Sequence, residues 1–311
     1  MKVFESLDIT EKFINPVLTI GNYDGLHLGH RRIIERVREK AGAIGGTSML
    51  MTFHPHPLKI LKPDKPVGLI TPIHVKKRLL AESGIDVVFI VPFTEVFRSI
   101  SPEAFVGDIL VGKLGIKGLI VGYDFKFGKE GKGNVDKLLA LSSQYGYFFE
   151  IQGAITLGGE KVGSNRIRKM IREGEMEKVM RHLGRPYMIE GRVVKGYSRG
   201  TAIGFPTVNL ETEFDLIPRG GVYVTEVEQE GRRFPSVTNI GFNPTFNGQN
   251  LSIETHILDF SEDLYGKEIA LYFRGRVRDE VKFGDVEALK ARIRLDVEAA
   301  REYFRNNEAV S

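Results

Sequence analysis

Two histidines three residues apart, His27 and His30, close the segment Gly21-Asn22-Tyr23-Asp24-Gly25-Leu26-His27-Leu28-Gly29-His30. It lies directly after the apolar run Val17–Ile20 and directly before a helical pattern. Residues three apart share one face of a helix, so both imidazoles can address the same group. Gly21 and Gly25 carry no Cβ that would hold an anion away from the main chain. A helix N-terminus adds unpaired N–H groups at the positive end of its dipole. This combination suits the phosphates of a nucleoside triphosphate. Zinc fits less well, because it needs a third and usually a fourth ligand, and no Cys or third His stands at a spacing that supplies one locally.

Three further segments in the first half follow, or prepare, regular elements. Thr52-Phe53-His54-Pro55-His56-Pro57 is stiffened by its prolines, and Phe53 offers an apolar ring face. Val121-Gly122-Tyr123-Asp124-Phe125-Lys126-Phe127-Gly128 gathers a carboxylate, aromatic rings and a cation in a loop after a strand, where ligands are commonly bound. In Val162-Gly163-Ser164-Asn165-Arg166-Ile167-Arg168, Ser164 is placed to cap a helix that presents Arg168 one turn later. Such a helix start suits pyrophosphate, and an ordinary capped basic helix has the same look. A Gly-x-x-x-x-Gly-Lys-Ser/Thr motif is absent, which excludes a P-loop. Gly128, Gly131 and Gly133 lack that spacing and read as a flexible turn.

In the second half the sharpest segment is Gly204-Phe205-Pro206-Thr207-Val208-Asn209. If Thr207–Leu210 is a strand, Thr207 and Asn209 project from one face. A hydroxyl and an amide oxygen side by side form a hard-oxygen pair suited to Mg²⁺ with nucleotide phosphates. Glu254, in Ser252-Ile253-Glu254-Thr255-His256-Ile257, faces away from Ile253 and Thr255. It is placed either as a general base or as an exposed strand glutamate.

The elements that must hold these residues change character along the chain. Val17–Ile20, Ser48–Thr52, Val87–Val91 and Leu119–Val121 are short β-branched apolar runs that alternate with helical patterns at Arg31–Lys40, Val75–Ser83 and Pro102–Lys113. That alternation predicts an α/β domain with a parallel sheet, whose ligands bind at the carboxyl ends of the strands. A helical stretch Ser164–Leu183 is expected to close it, and Gly184-Arg185-Pro186 breaks the pattern. Strands follow at Met188–Lys195, Gly221–Gln229, Phe234–Ile240, Leu251–Leu258 and Glu268–Phe273, separated by Gly, Asn and Pro turns, as in a small barrel or sandwich. A final amphipathic helix, with Val286, Leu289, Ile293, Val297, Ala300 and Phe304 on one face, is expected to pack on it. Two domains, 1–184 and 185–311, are therefore expected.

The 311 residues are 42% apolar and 27% charged, ordinary for a soluble globular protein. The absence of cysteine excludes disulfides and thiolate chemistry and fits a cytoplasmic location. Residues 1–10 lack the apolar region of a signal peptide, and the longest apolar run, Val87–Phe93, is far too short to span a bilayer. Residues 1–184 carry 27 Lys and Arg against 20 Asp and Glu, whereas residues 185–311 carry 17 against 20. A basic first half favours anionic ligands. A nucleic-acid binder would want a basic stripe interleaved with aromatics, and here the basic residues are spread among acids. No nucleic-acid or membrane partner is expected.

Together these segments resemble the bacterial bifunctional riboflavin kinase/FAD synthetases over nearly the whole chain. Gly21–His30, with Tyr23 where Phe is usual, resembles the family's first nucleotidyltransferase motif. Thr52–Pro57, Gly122–Gly128 and Val162–Arg168 are similar to the three that follow. In the second half Gly191–Val194, Gly204–Asn209, Asn239–Gly241, Glu254–Phe260, Asp263–Gly266 and Arg278–Glu280 match the kinase module in order. The resemblance implies a Rossmann-like FMN adenylyltransferase domain followed by an antiparallel β-barrel riboflavin kinase domain with a C-terminal helix. It implies ATP binding by Gly21, Tyr23, Gly25, His27, His30, Ser164, Arg168, Gly204, Thr207 and Asn209. His27, His30, Arg168 and Glu254 would be catalytic, and Phe53, Asp124, Phe125 and Arg278 would bind flavin. Thr207 and Asn209 would hold Mg²⁺, and riboflavin, FMN and ATP would be the small-molecule substrates.

Gly163 and Asn165 stand where the family usually has Ser and Thr, Thr201 where a Lys or Arg is common, and Lys195 replaces a frequent His. Because Ser164 and Arg168 remain, AMP transfer is expected to survive, and Gly163→Ser with Asn165→Thr is expected to raise FAD formation modestly. The alternative reading is a chain active in one half only, most plausibly the kinase. A pantetheine or nicotinate nucleotide transferase would leave the second domain unexplained.

Overall fold

The computed structural model describes residues 1–64, 67–195, 203–245 and 248–308; the departure at Thr201 lies outside them. The chain forms two compact units, Met1–Ser164 and Asn165–Ser311.

The first unit is built on a six-stranded sheet of β1 (Lys2–Phe4), β2 (Val17–Ile20), β3 (Ser48–His54), β4 (Val87–Pro92), β5 (Gly118–Gly122) and β6 (Phe148–Gln152). Its spatial order is β1-β4-β3-β2-β5-β6, and every neighbouring pair is parallel. A parallel sheet is covered on both faces, so its strands read as continuous apolar runs rather than alternating ones. Leu18, Met49, Met51, Phe89 and Leu119 pack into one core, and Val17, Leu50, Val88 and Ile120 into the other, where Ile34 and Val37 of the helix Leu28–Ala43 meet them. From β2 the chain builds outward through β3 and β4, then crosses to β5 and β6 on the other side. The topological switch therefore falls between β2 and β5.

Several elements escaped the sequence reading, among them the short hairpin of β7 (Thr156–Leu157) and β8 (Glu160–Lys161). β1 is a short, mostly exposed edge, and the apolar run of β6 is interrupted by Glu150 and Gln152. The helix Val135–Tyr145, capped by Asn134, has only Leu138, Leu141 and Ser142 buried. The expected helix over Pro102–Lys113 exists, but Phe105–Lys113 winds wider, as a π-helix. The glycines expected to make a flexible turn instead make a tight one: Phe127 and Gly133 exchange main-chain hydrogen bonds, and a Cβ on Gly133 would lie 2.6 Å from the Phe127 ring.

The second unit is a closed antiparallel barrel of β9 (Tyr187–Val194), β10 (Val208–Glu211), β11 (Gly221–Gln229), β12 (Arg232–Thr245), β13 (Gly248–Ile257) and β14 (Glu268–Arg278). β12 and β14 run well past their expected ends; in β14 the pairing with β11 carries register irregularities between Val222 and Tyr223 and between Val224 and Thr225, which break the alternation. Inside the barrel lies a ladder of buried hydroxyls. Thr225 Oγ1 is 2.8 Å from Ser236 Oγ and 2.7 Å from Thr238 Oγ1, which is 2.9 Å from Thr255 Oγ1.

The helix Val286–Glu308 packs on the barrel through Val297, Ala300, Tyr303 and Phe304, against Val222, Val224, Val237 and Leu258. Val286, expected on this apolar face, is exposed. Asp296, which is buried, instead accepts hydrogen bonds from Arg278 Nε and Nη2 at 2.7–3.1 Å.

The stretch Ser164–Leu183 is two helices, Ser164–Glu173 and Met176–Leu183, separated by Gly174 at φ 77°. The second packs on β9 and β14, and the Arg276 main-chain N–H donates to Glu177 Oε1 at 3.3 Å. This hairpin thus shares the barrel's packing, although Gly184-Arg185-Pro186 remains the break in sequence texture.

Candidate active sites

Open α/β sheets bind ligands in the crevice at the carboxyl ends of their strands, at the topological switch point. Here β2 leads into the loop Gly21–His27, β5 into Tyr123–Gly128, and β3, beside β2, into Phe53–Pro57. The three loops singled out in the first half converge on that crevice.

The loop after β2 is a strained turn with positive φ at Tyr23 (47°), Gly25 (90°) and Leu26 (38°). Side chains in the left-handed region cost energy and persist only where the surroundings impose them. Asp24 is what imposes it. Its carboxylate is buried and accepts from the Ile70 N–H at 3.2 Å, the Thr71 N–H at 2.9 Å and Thr71 Oγ1 at 3.1 Å. Thr71 Oγ1 in turn accepts from the Gly25 N–H at 2.9 Å, and Ser164 Oγ donates to the Asp24 carbonyl at 2.9 Å. Ser164 is thereby held at the loop. Neither Asp24 nor Thr71 was singled out from sequence, since their partners are 46 and 47 residues apart.

The helix starts as expected, with an unusual cap. His27 is the N-cap, and its Nδ1 accepts from the His30 main-chain N–H at 3.2 Å. An acceptor nitrogen carries no proton, so the ring's proton sits on Nε2, a donor. The His30 ring stacks on His27, with centroids 3.6 Å apart and planes at 14°, and touches Tyr23 at 4.9 Å. Tyr23 itself is buried in the core, its phenol 2.5 Å from Thr19 Oγ1, and burial pushes its pKa up. It backs the histidines with its ring and offers the crevice only its main chain.

Phe53 and Phe125 are half-buried and joined by ring contacts through Phe97, Phe105 and Phe127, each 5.5–6.0 Å between centroids. This apolar wall lies beside the exposed Asp124. The end of β3 is electropositive: His54 is held below the ordinary histidine range first by burial, then by Lys76, Lys59 and Lys77. Arg168, in the second unit, is buried, and its Nη1 donates to Asn165 Oδ1 at 2.8 Å.

The second constellation lies on the outer face of the barrel. Asn209 of β10 and Asn239 of β12 are the cross-strand partners of Glu254 on β13. Side chains directly opposite on neighbouring strands share a face, so two amides flank the carboxylate. Ile253 and Thr255 point inward and are buried. Thr207 stands one residue before β10, and Gly204, at φ 88°, begins the approach. Arg278 pairs with Val222, which pairs with Asn239, so its strand position lies in the same row. Its guanidinium is bound by Asp296, which makes it the anchor of the final helix.

Family models for FAD synthetase and riboflavin kinase match residues 10–166 and 183–304. A bifunctional riboflavin kinase/FMN adenylyltransferase of Listeria monocytogenes is 37% identical over 94% of this chain and 93% of its own length. That of Bacillus subtilis is 36% identical over 96% and 95%. The chain belongs to the family of bifunctional riboflavin kinase/FMN adenylyltransferases. A solved chain from Streptococcus pneumoniae, titled a macrolide-efflux protein, shares 28% identity at a TM-score of 0.88, covering 96% of this chain and 98% of that one. Among the described residues of this riboflavin kinase/FMN adenylyltransferase family member, no helix is long and apolar enough to cross a membrane. Both enzymatic domains of the family are present, so the reading of a two-activity enzyme stands over that of a chain with one active half.

Proposed function

We propose that residues 1–184 transfer AMP from ATP to FMN and that residues 185–311 phosphorylate riboflavin. What supports this reading is that the loops Gly21–His27, Phe53–Pro57 and Tyr123–Gly128 follow neighbouring strands at the switch point of the sheet, and that Asn209, Asn239 and Glu254 share one cross-strand row of the barrel. Cytoplasmic location belongs to the same proposal.

In adenylyl transfer an FMN phosphate oxygen attacks the α-phosphorus of ATP and the bond to pyrophosphate breaks. Catalysis then consists of aligning the groups and stabilising charge on the phosphates. The Gly21–His27 main chain, His27 Nε2–H, His30 and the helix N-terminus serve ATP. Ser164 and Arg168 serve the pyrophosphate, and Phe53, Asp124 and Phe125 hold the flavin. In the kinase, Glu254 takes the proton of riboflavin's primary hydroxyl as that oxygen attacks the γ-phosphorus and ADP leaves. Gly204, Thr207 and Asn209 bind ATP, and Arg278 borders the flavin.

Mg²⁺ fits this donor set. Thr207 and Asn209 offer neutral hard oxygens, Asn209 as the cross-strand partner of Glu254, and Mg²⁺ is commonly held by one or two protein groups plus substrate phosphates. Among the described residues no group of three or more His, Asp or Glu could hold a metal alone. When bound, the ion would neutralise phosphate charge.

Incubation with riboflavin, ATP and Mg²⁺, followed by chromatography of the flavins, is expected to yield FMN first and FAD afterwards. Absence of both products across a range of Mg²⁺ and temperature would sink the proposal.

The bond from Arg168 to Asn165 alters one expectation from the sequence. A threonine hydroxyl is shorter than the Asn carboxamide and does not reach the guanidinium in the same way. Asn165→Thr alone is therefore expected to slow FAD formation, by about tenfold for a hydrogen bond to a charged group, with FMN formation unchanged. Gly163→Ser is expected to be tolerated, because no atom lies within 4 Å of a Cβ there. An Asn165→Thr enzyme that makes FAD faster would show that the family hydroxyl matters more than this contact.

A further inference from the structure

We infer that Ser252 is a positioning residue for riboflavin phosphorylation, acting by holding the carboxylate of Glu254. Ser252 and Glu254 are two apart on β13 and so share its outer face. Ser252 Oγ donates to Glu254 Oε1 at 2.9 Å, and both residues are half-buried. A glutamate has three side-chain torsions, and a base must meet its proton within hydrogen-bond reach. With Oε1 tied to Ser252, those torsions are restricted and Oε2 is left for the substrate hydroxyl.

The surroundings explain why a neighbour on the same strand does this. Asn209 and Asn239 flank Glu254 from the adjoining strands. The cross-strand partner of Ser252 is Gly241, which has no side chain to offer. The space it leaves is taken by others: a Cβ there would lie 3.1 Å from Glu280 Oε1 and 3.7 Å from Asn239 Nδ2. Glu280 thus brings a second negative charge over the strand position beside Ser252. Like charges repel, so an untethered Glu254 would swing away from Glu280, and a fixed donor at Ser252 opposes that movement. His256, the next outward residue on β13, is not available for the task, because its Nδ1 is 2.8 Å from the Pro206 carbonyl.

The inference rests on Glu254 being the base, and the test separates the two. Steady-state riboflavin phosphorylation is measured on the full chain with ATP and Mg²⁺, for Ser252→Ala and Ser252→Thr, each in the native and the Glu254→Gln backgrounds. Ser252→Ala is expected to lower kcat about tenfold, the worth of a hydrogen bond to a charged group, with KM for riboflavin and ATP unchanged. Ser252→Thr, which keeps the hydroxyl, is expected to restore most of the rate. In the Glu254→Gln background, Ser252→Ala is expected to change nothing further, because the group it acts through has lost its function. An equal loss in both backgrounds, a change confined to KM, or failure of Ser252→Thr to rescue would overturn the role of Ser252 and leave Glu254 as the base. A near-native rate for Glu254→Gln alone would instead overturn the assignment of Glu254, and this inference with it.

Discussion

Glu254→Gln is expected to lower riboflavin phosphorylation roughly 10²–10⁴-fold, the usual worth of a general base, while supplied FMN is still converted to FAD. Glutamine keeps the length and shape of glutamate and can still accept from Ser252 Oγ, so the contact at 2.9 Å has a replacement. What it cannot do is accept the hydroxyl proton. The flanking amides of Asn209 and Asn239 are cross-strand partners of Glu254 and stay in place through the strand pairing. Following FMN formation from riboflavin and FAD formation from FMN in separate assays checks the result. Equal losses in both would assign Glu254 to structure rather than chemistry.

His30→Ala is expected to do the reverse, lowering FAD formation roughly 10²–10³-fold, as removal of a single donor to developing charge does elsewhere, with FMN formation unchanged. The substitution is clean because of how the helix begins. The cap bond runs from the His30 main-chain N–H to His27 Nδ1, and alanine retains that N–H. The strained loop is held by the bonds from the Ile70 and Thr71 N–H groups and Thr71 Oγ1 to Asp24. What disappears is the imidazole stacked 3.6 Å from His27. Native FAD formation in this variant would show that His27 and the helix N-terminus serve the phosphates alone.

Legibility in the sequence followed the range of the physics. The Gly21–His30 loop was readable because glycine, helix start and histidine spacing all act within ten residues. β11 was bounded correctly at Gly221–Gln229 because its turns and its alternation agree. The pin that holds the Gly21–His27 loop was not readable, since Asp24 and Thr71 meet only after β3 and its loop have formed. Tyr23, an ATP-binding position by the resemblance, keeps its ring in the core beside Thr19, a partner that no motif pointed to. Arg278 and Asp296 are 18 residues apart on a strand and a helix, and no local pattern links them. Asn239 and Ser252 were visible only as members of short motifs. Their closeness to Glu254 depends on strand register, which a single sequence does not print.

The hydroxyl ladder inside the barrel bears on that same register. Sliding β13 by one residue against β12 would turn its apolar side chains outward, and the burial pattern forbids it. Sliding it by two would keep every inward residue inward, so hydrophobicity is blind to that error. In the native pairing Thr238 faces Thr255; after a two-residue slip Thr238 would face Ile253 or Ile257. The slip toward Ile257 also sets Thr255 against Ile240, and a buried hydroxyl deprived of its partner costs about 1–3 kcal/mol; Thr238 itself keeps Thr225 at 2.7 Å. The Thr238–Thr255 contact works as a proofreading device against that slip, which greasy side chains let pass. The beneficiary is the outer face, where the same alignment puts Asn209 and Asn239 on either side of Glu254.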